Sequence, residues 1–129
     1  MSSKSVFAPQ LVIPHGVKDL NFYIDGLGAT ELRRFDNEDG SVHVSELELN
    51  GLTFHLHEEG SYGKSPATLG GSTVSIGLFT DDVDGLIQRA GAAGAIVTSP
   101  AQDYDYGYRQ GAFTDPFGHL WLIEKDLRK

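Results

Sequence analysis

The sequence predicts an α+β fold made of two βαβββ modules whose strands form a curved mixed sheet around a cleft. Two observations carry that prediction. Val17, Leu20, Gly28 and Ala29 recur as Val83, Leu86, Gly94 and Ala95, each 66 residues further on. Both halves also read as the same order of elements, so the chain contains an internal repeat. Strands of two copies that curve together leave a concave surface, a natural seat for a small molecule.

The elements follow in order. VFAPQLVIP, residues 6–14, is an apolar run closed by Pro14 and reads as a strand. After it, Val17, Leu20, Ile24 and Leu27 fall at spacings of three and four with Gly28 as the stop, the pattern of an amphipathic helix. ATELRRF, SVHVSELEL and LTFHLHE are three strands, the last two joined by Asn50-Gly51, a strong hairpin signal. EGSYGKSPATLGGS, residues 59–72, is rich in Gly, Ser and Pro and reads as a connecting loop. The order then starts again with the strand STVSIGLFT, a helix over DDVDGLIQRAGAAG capped by Asp81 or Asp82, and the strand AIVTSP. Two more strands, near Tyr106–Thr114 and Leu120–Glu124, are joined by a turn at Asp115-Pro116-Phe117-Gly118. The modules therefore run from about 6–58 and 73–124 within one domain, 1–129.

Composition bounds the function. A chain of 129 residues is one domain by length. Its formal charge of −8 and lack of a basic cluster argue against nucleic acid and favour a cationic small molecule over an anionic one. No apolar run approaches the roughly 18 residues that cross a bilayer, and no apolar stretch follows the first residues as in a secretory signal, so no membrane partner and a cytoplasmic location are expected. Without cysteine, a metal would have to be held by imidazole and carboxylate.

Strand parity selects candidate site residues. In LTFHLHE, Phe54 and Leu56 face the core while Thr53, His55 and His57 face the cleft. In the last strand Trp121 and Ile123 are core, and Leu120, Leu122 and Glu124 face the cleft. Tyr104, Tyr106 and Tyr108 share a face if DYDYGY is one strand, and such rings suit an aromatic or cationic ligand. Glu46 and Glu48 share a face and are expected to be solvated partners of Arg33 or Arg34 rather than a catalytic base. His119 opens the last strand on the side away from the cleft and is read as structural, and His15 and His43 as surface residues.

The runs P-Q-L-V-I-P, L-G-A-T-E-L-R-R, S-P-A-x-L-G-G-S, D-D-V-D-x-L and Y-G-Y-R-x-G-x-F-x-D-P-F-G-H-x-W resemble the vicinal oxygen chelate superfamily, its glyoxalase/bleomycin resistance group and the PhnB-like branch of that group. The resemblance implies the glyoxalase/bleomycin resistance/dihydroxybiphenyl dioxygenase fold, two chains per assembly, and functions from metal-dependent catalysis to metal-free sequestration. Metal positions carried over from it fall near Ala8 or Pro9, at His55, at Ser75 and at Leu122, and only His55 is a ligand type. Arg109 stands at the arginine of the pattern, where it either binds a ligand anion or braces the Asp115 turn.

The expectation is a homodimer that binds a cationic or aromatic small molecule without a cofactor. His55, His57, Tyr106, Tyr108, Leu122 and Glu124 line its cleft, with Arg109 as a further contact. The alternative is a lyase, isomerase or dioxygenase whose Zn, Ni, Mn or Fe ion sits on His55, His57 and Glu124.

Overall fold

The computed structural model describes residues 4–128; Met1–Ser3 and Lys129, the ends of the expected domain, lie outside them. Among the described residues, eight strands form two four-stranded sheets. The first holds β1 (Gln10–Ile13), β2 (Thr30–Asp36), β3 (Val42–Leu49) and β4 (Leu52–Glu58) in the order β1-β4-β3-β2. The second holds β5 (Ser75–Phe79), β6 (Ile96–Asp103), β7 (Tyr108–Thr114) and β8 (Leu120–Asp126) in the order β5-β8-β7-β6. The outer pairs β1·β4 and β5·β8 are parallel and the rest antiparallel, so the sheets are mixed and repeat one topology. The repeat is visible residue by residue: Gly28 and Gly94 both take positive φ, which only glycine adopts freely, and Ala29 and Ala95 both pack on the core.

The helix expected from Val17 to Leu27 does not form. The segment is irregular up to Asn21 and then makes one π-helical turn, Phe22–Gly26, closed by the Leu27 N–H on the Phe22 carbonyl. Two competing bonds explain it. The Val17 carbonyl accepts from Val42 N–H at 2.7 Å, and the Asp19 carboxylate takes the Asn21 N–H at 2.7 Å, so the acceptor and the donor of the first helical bond, Asn21 N–H to Val17 C=O, are both committed elsewhere. The apolar spacing still serves: Leu20, Tyr23 and Leu27 are all buried.

In the second module the helix forms as expected, α2 (Val83–Ala92), capped by Asp82 accepting from Gly85 N–H. The linker contributes a short helix, α1 (Pro66–Leu69), capped by Ser65. The expected Tyr104–Tyr106–Tyr108 strand is instead a hairpin: β6 ends at Asp103, β7 starts at Tyr108, and Gly107 at φ +97° turns the chain between them.

Both sheets turn their apolar faces into one shared core. Phe54 of β4 and Trp121 of β8 meet edge to face at 5.9 Å, and Tyr23 packs against both rings. The buried Asp115 carboxylate joins the halves, accepting from Tyr23 OH at 2.7 Å, Trp121 Nε1 at 3.0 Å, and the Phe117 and His119 N–H groups.

Candidate functional site

Because the apolar faces meet, the opposite faces of the two sheets look outward. On the first sheet that face carries His55 and His57, whose strand neighbours are Gln10 and Glu46, and Val12 and Val44. The two imidazoles lie 6.0 Å apart between centroids. His57 Nε2 is already bonded to Gln10 Oε1 at 2.5 Å, and burial, with the His55 and His43 charges, pushes its pKa below the ordinary histidine value. Glu46 pairs with Arg33 at 3.0 Å, an exposed surface ion pair of small energetic worth.

The outward face of the second sheet is the more distinctive. Phe79, Glu124 and Gln110 form one row across β5, β8 and β7, and Gly77, Leu122 and Ala112 form the next. Glu124 is only 7% exposed although it lies on this outer face. The cause is Gly77: a Cβ there would come within 3.0 Å of Glu124 Oε2, so the carboxylate lies down in the space a side chain would fill. Gln110 Nε2 donates to Glu124 Oε1 at 2.7 Å, and the Tyr106 hydroxyl donates to Gln110 Oε1.

A cluster of rings adjoins this carboxylate, through Phe79, its neighbour on β5, and Tyr106, which bonds its Gln110 partner. Tyr104 stacks on Tyr106 at 5.3 Å, Tyr106 meets Tyr108 at 5.9 Å, and Phe79 stands edge-on to Tyr108 at 5.5 Å. Arg128 covers one face of Tyr108 at 5.1 Å. Burial, the neighbouring Tyr104 and the Glu124 charge raise the Tyr106 phenol above its usual pKa. The three tyrosines thus cluster as the sequence suggests, but across a turn rather than along one strand.

Two expectations are corrected. Arg109 is not in this cluster: parity places it on the opposite face of β7 from Tyr108 and Gln110. Its fork grips Asp84 of α2 with two bonds of 2.8 Å and reaches Asp103 at 2.9 Å. It braces α2, not the Asp115 turn, which Tyr23 and Trp121 hold instead. Second, His55 and His57 do not join Glu124. They stand on the outer faces of different sheets, and no group of three or more His, Asp or Glu side chains able to hold a metal occurs among the described residues.

The residues at the metal positions implied by the resemblance, Ala8 or Pro9, His55, Ser75 and Leu122, offer one imidazole and at most one neutral hydroxyl. That donor set does not fit a divalent ion.

A groove of about 810 Å³ lies between the edge strands β1 and β5, with Phe7, Pro9, Pro66, Val74, Ile76 and His119 on its walls. None of His55, His57, Tyr106, Tyr108, Arg109, Leu122 and Glu124 lines it, whereas Ala8, Pro9 and Ser75, at the implied metal positions, do. His119 is buried and its Nε2 has no hydrogen-bond partner among the described residues.

Gln110, Phe79 and Gly77 escape a reading of the sequence. Gln110 shares the parity of Tyr108 and was within reach once β7 is placed, whereas its pairing with Glu124 depends on the β7·β8 register.

A family model described as the Glyoxalase/Bleomycin resistance protein/Dioxygenase superfamily matches residues 10–123. A protein of Mycobacterium bovis is 35% identical over 127 residues, covering 95% of this chain and 84% of that protein. Among solved structures, TioX from Micromonospora sp. ML1 is similar at 25% identity, with a TM-score of 0.68 over 97% of this chain and 98% of that one. The Arabidopsis thaliana gene product At5g48480 is similar at 28% identity, with a TM-score of 0.70 over 94% of this chain and 98% of that one.

Proposed function

Because the chain belongs to the Glyoxalase/Bleomycin resistance protein/Dioxygenase superfamily, we propose that it is a small-molecule-binding member which holds a cationic aromatic compound without a metal ion. One observation carries the reading: a carboxylate, Glu124, lies almost fully buried on an outer sheet face, with one oxygen bonded and aromatic rings beside it. A buried charge is costly without a counter-charge, and among the described residues its partner is the neutral Gln110 amide, with rings nearby and no cation bonded to it. A flat cation satisfies both features, through the carboxylate and through the faces of Tyr104 and Tyr106. The net charge of −8 favours approach of such a ligand. The D-P-F-G-H-x-W run supports placing the chain in the PhnB-like branch, and a cytoplasmic location belongs to the same reading.

A homodimer completes the site. The His55 and Glu124 faces point away from one core, so a cleft that uses both needs the first module of one copy and the second module of another. Apolar Val6, Phe7, Leu69 and Val74 are exposed beside the unpaired edges of β1 and β5, a surface suited to being covered.

The test is thermal shift on protein made without a metal-affinity tag, with analytical ultracentrifugation alongside. An aromatic amine at a hundred times its Kd is expected to stabilise the wild type by about 2.7 kcal/mol and to leave Glu124→Gln unmoved, while the sedimenting mass is twice the 14.0 kDa of one chain. Stoichiometric Zn, Ni, Mn or Fe by elemental analysis, with stabilisation lost in His55→Ala, would establish the metal-dependent alternative instead.

A further inference from the structure

We infer that Gln110 is a positioning residue that restricts the Glu124 site to protonated amines, excluding guanidinium and quaternary ammonium groups. The inference rests on reading Glu124 as the ligand's counter-ion, and adds to it which cation the site accepts.

A carboxylate has two oxygens, and the pair together match the two parallel N–H groups of a guanidinium. Here the pair is divided. Glu124 Oε1 is held by Gln110 Nε2 at 2.7 Å, and Oε2, lying over Gly77, has no hydrogen-bond partner among the described residues. Gln110 is in turn fixed in orientation. The Tyr106 hydroxyl bonds its Oε1, and the reversed amide would aim an oxygen at a carboxylate oxygen, so its NH₂ must face Glu124. The relay Tyr106–Gln110–Glu124 therefore occupies one side of Oε1 and leaves Oε2 as the carboxylate oxygen with no bond in place.

One free oxygen suits a compact, rotatable donor. A protonated amine turns one of its three N–H groups onto Oε2, leaves the other two to solvent at this half-exposed rim, and lays its ring among Tyr104, Tyr106 and Phe79. A guanidinium is a rigid planar fork that needs both oxygens at once, and its second arm meets an Oε1 already held by Gln110, which costs affinity. A quaternary ammonium has no N–H, so Oε2 remains without a hydrogen bond. Gly77 matters for the same reason, because any side chain there would press on Oε2.

The experiment uses four probes on one phenethyl frame: 2-phenylethylamine, N-(2-phenylethyl)guanidine, trimethyl(2-phenylethyl)ammonium and 2-phenylethanol. Isothermal titration calorimetry on the full chain is expected to rank the amine about tenfold above both other cations, with the alcohol weakest. In Gln110→Leu the freed Oε1 lets the guanidine overtake the amine, inverting the order. Gln110→Asn, too short to reach Oε1, is expected to invert it also, which keeps the test intact if the leucine variant does not fold. Tyr106→Phe releases the amide and gives a partial shift the same way.

A guanidine that binds wild type as tightly as the amine, or an order that no Gln110 variant changes, overturns the inference while leaving Glu124 as counter-ion. If no cation binds wild type more tightly than the alcohol, the reading of Glu124 fails and the inference with it.

Discussion

Glu58, at the end of β4, gathers donors from three separate segments. His15 Nδ1 approaches Oε2 at 2.9 Å, while His43 Nδ1 and Asn37 Nδ2 approach Oε1 at 2.7 and 3.1 Å. These bonds, led by the two imidazoles, hold the carboxyl down to about 2. Its unfolded value is near ~4.3, so the folded group is the stronger acid. Its stabilisation is complete above that unfolded value and is lost as pH falls toward about 2. Melting temperature followed by circular dichroism from acid to neutral pH is expected to fall less steeply on the acid side for Glu58→Gln than for the wild type; parallel curves would refute the role. The hub is invisible in the linear chain, because residues 15, 37, 43 and 58 meet only when β1, β3 and β4 pair. The expectation that His15 and His43 are merely exposed stops one step short: both are exposed, and both are engaged.

At the scale of elements, backbone approach decides what local pattern leaves open. Gly111 on β7 lies under α2: a Cβ there would meet Ile87 Cδ1 at 2.3 Å and the backbone of Ser99 and Ala101 at 3.1 Å. The strand that carries Gly111 cannot retreat, since β7 is hydrogen-bonded on both sides. Gly111→Ala is therefore expected to destabilise by about 1–3 kcal/mol, as overpacking of a dense core does, read as a lower urea midpoint with unchanged slope. The π-helical turn also sits at a close approach. Gly26 faces the end of α2 so closely that a Cβ would lie 2.6 Å from that of Ala93. The spacing of Leu20, Ile24 and Leu27 identifies a segment that buries one side, but not the bonds of Val17 to Val42 and of Asn21 to Asp19 that keep it from being a helix. Strand parity, by contrast, was legible because it is local: Phe54, Leu56, Trp121 and Ile123 are all buried as alternation requires.

Across the whole molecule, the two modules are tied among the described residues by one side-chain hydrogen bond inside an apolar interface, the Tyr23 hydroxyl on Asp115, 92 residues apart. Burial together with the Asp115 charge raises the Tyr23 phenol well above its ordinary value, so it remains a donor. Tyr23→Phe keeps the ring contacts and leaves the carboxylate one donor short, at an expected cost of about 1.5–3 kcal/mol, measured by chemical denaturation; an unchanged midpoint would show that the link contributes nothing. The amino-acid sequence by itself determined the duplicated order of four strands per module, the apolar and polar faces of β4 and β8, and the scarcity of metal donors at the implied positions, because alternation, turn residues and side-chain chemistry are properties of neighbouring residues. Only the tertiary structure decided that Tyr106, Gln110 and Glu124 form a relay, that Arg109 belongs to α2, and that His55 and Glu124 face apart. Those facts depend on cross-strand register and on how two sheets share one core, neither of which is written in the order of residues along the chain.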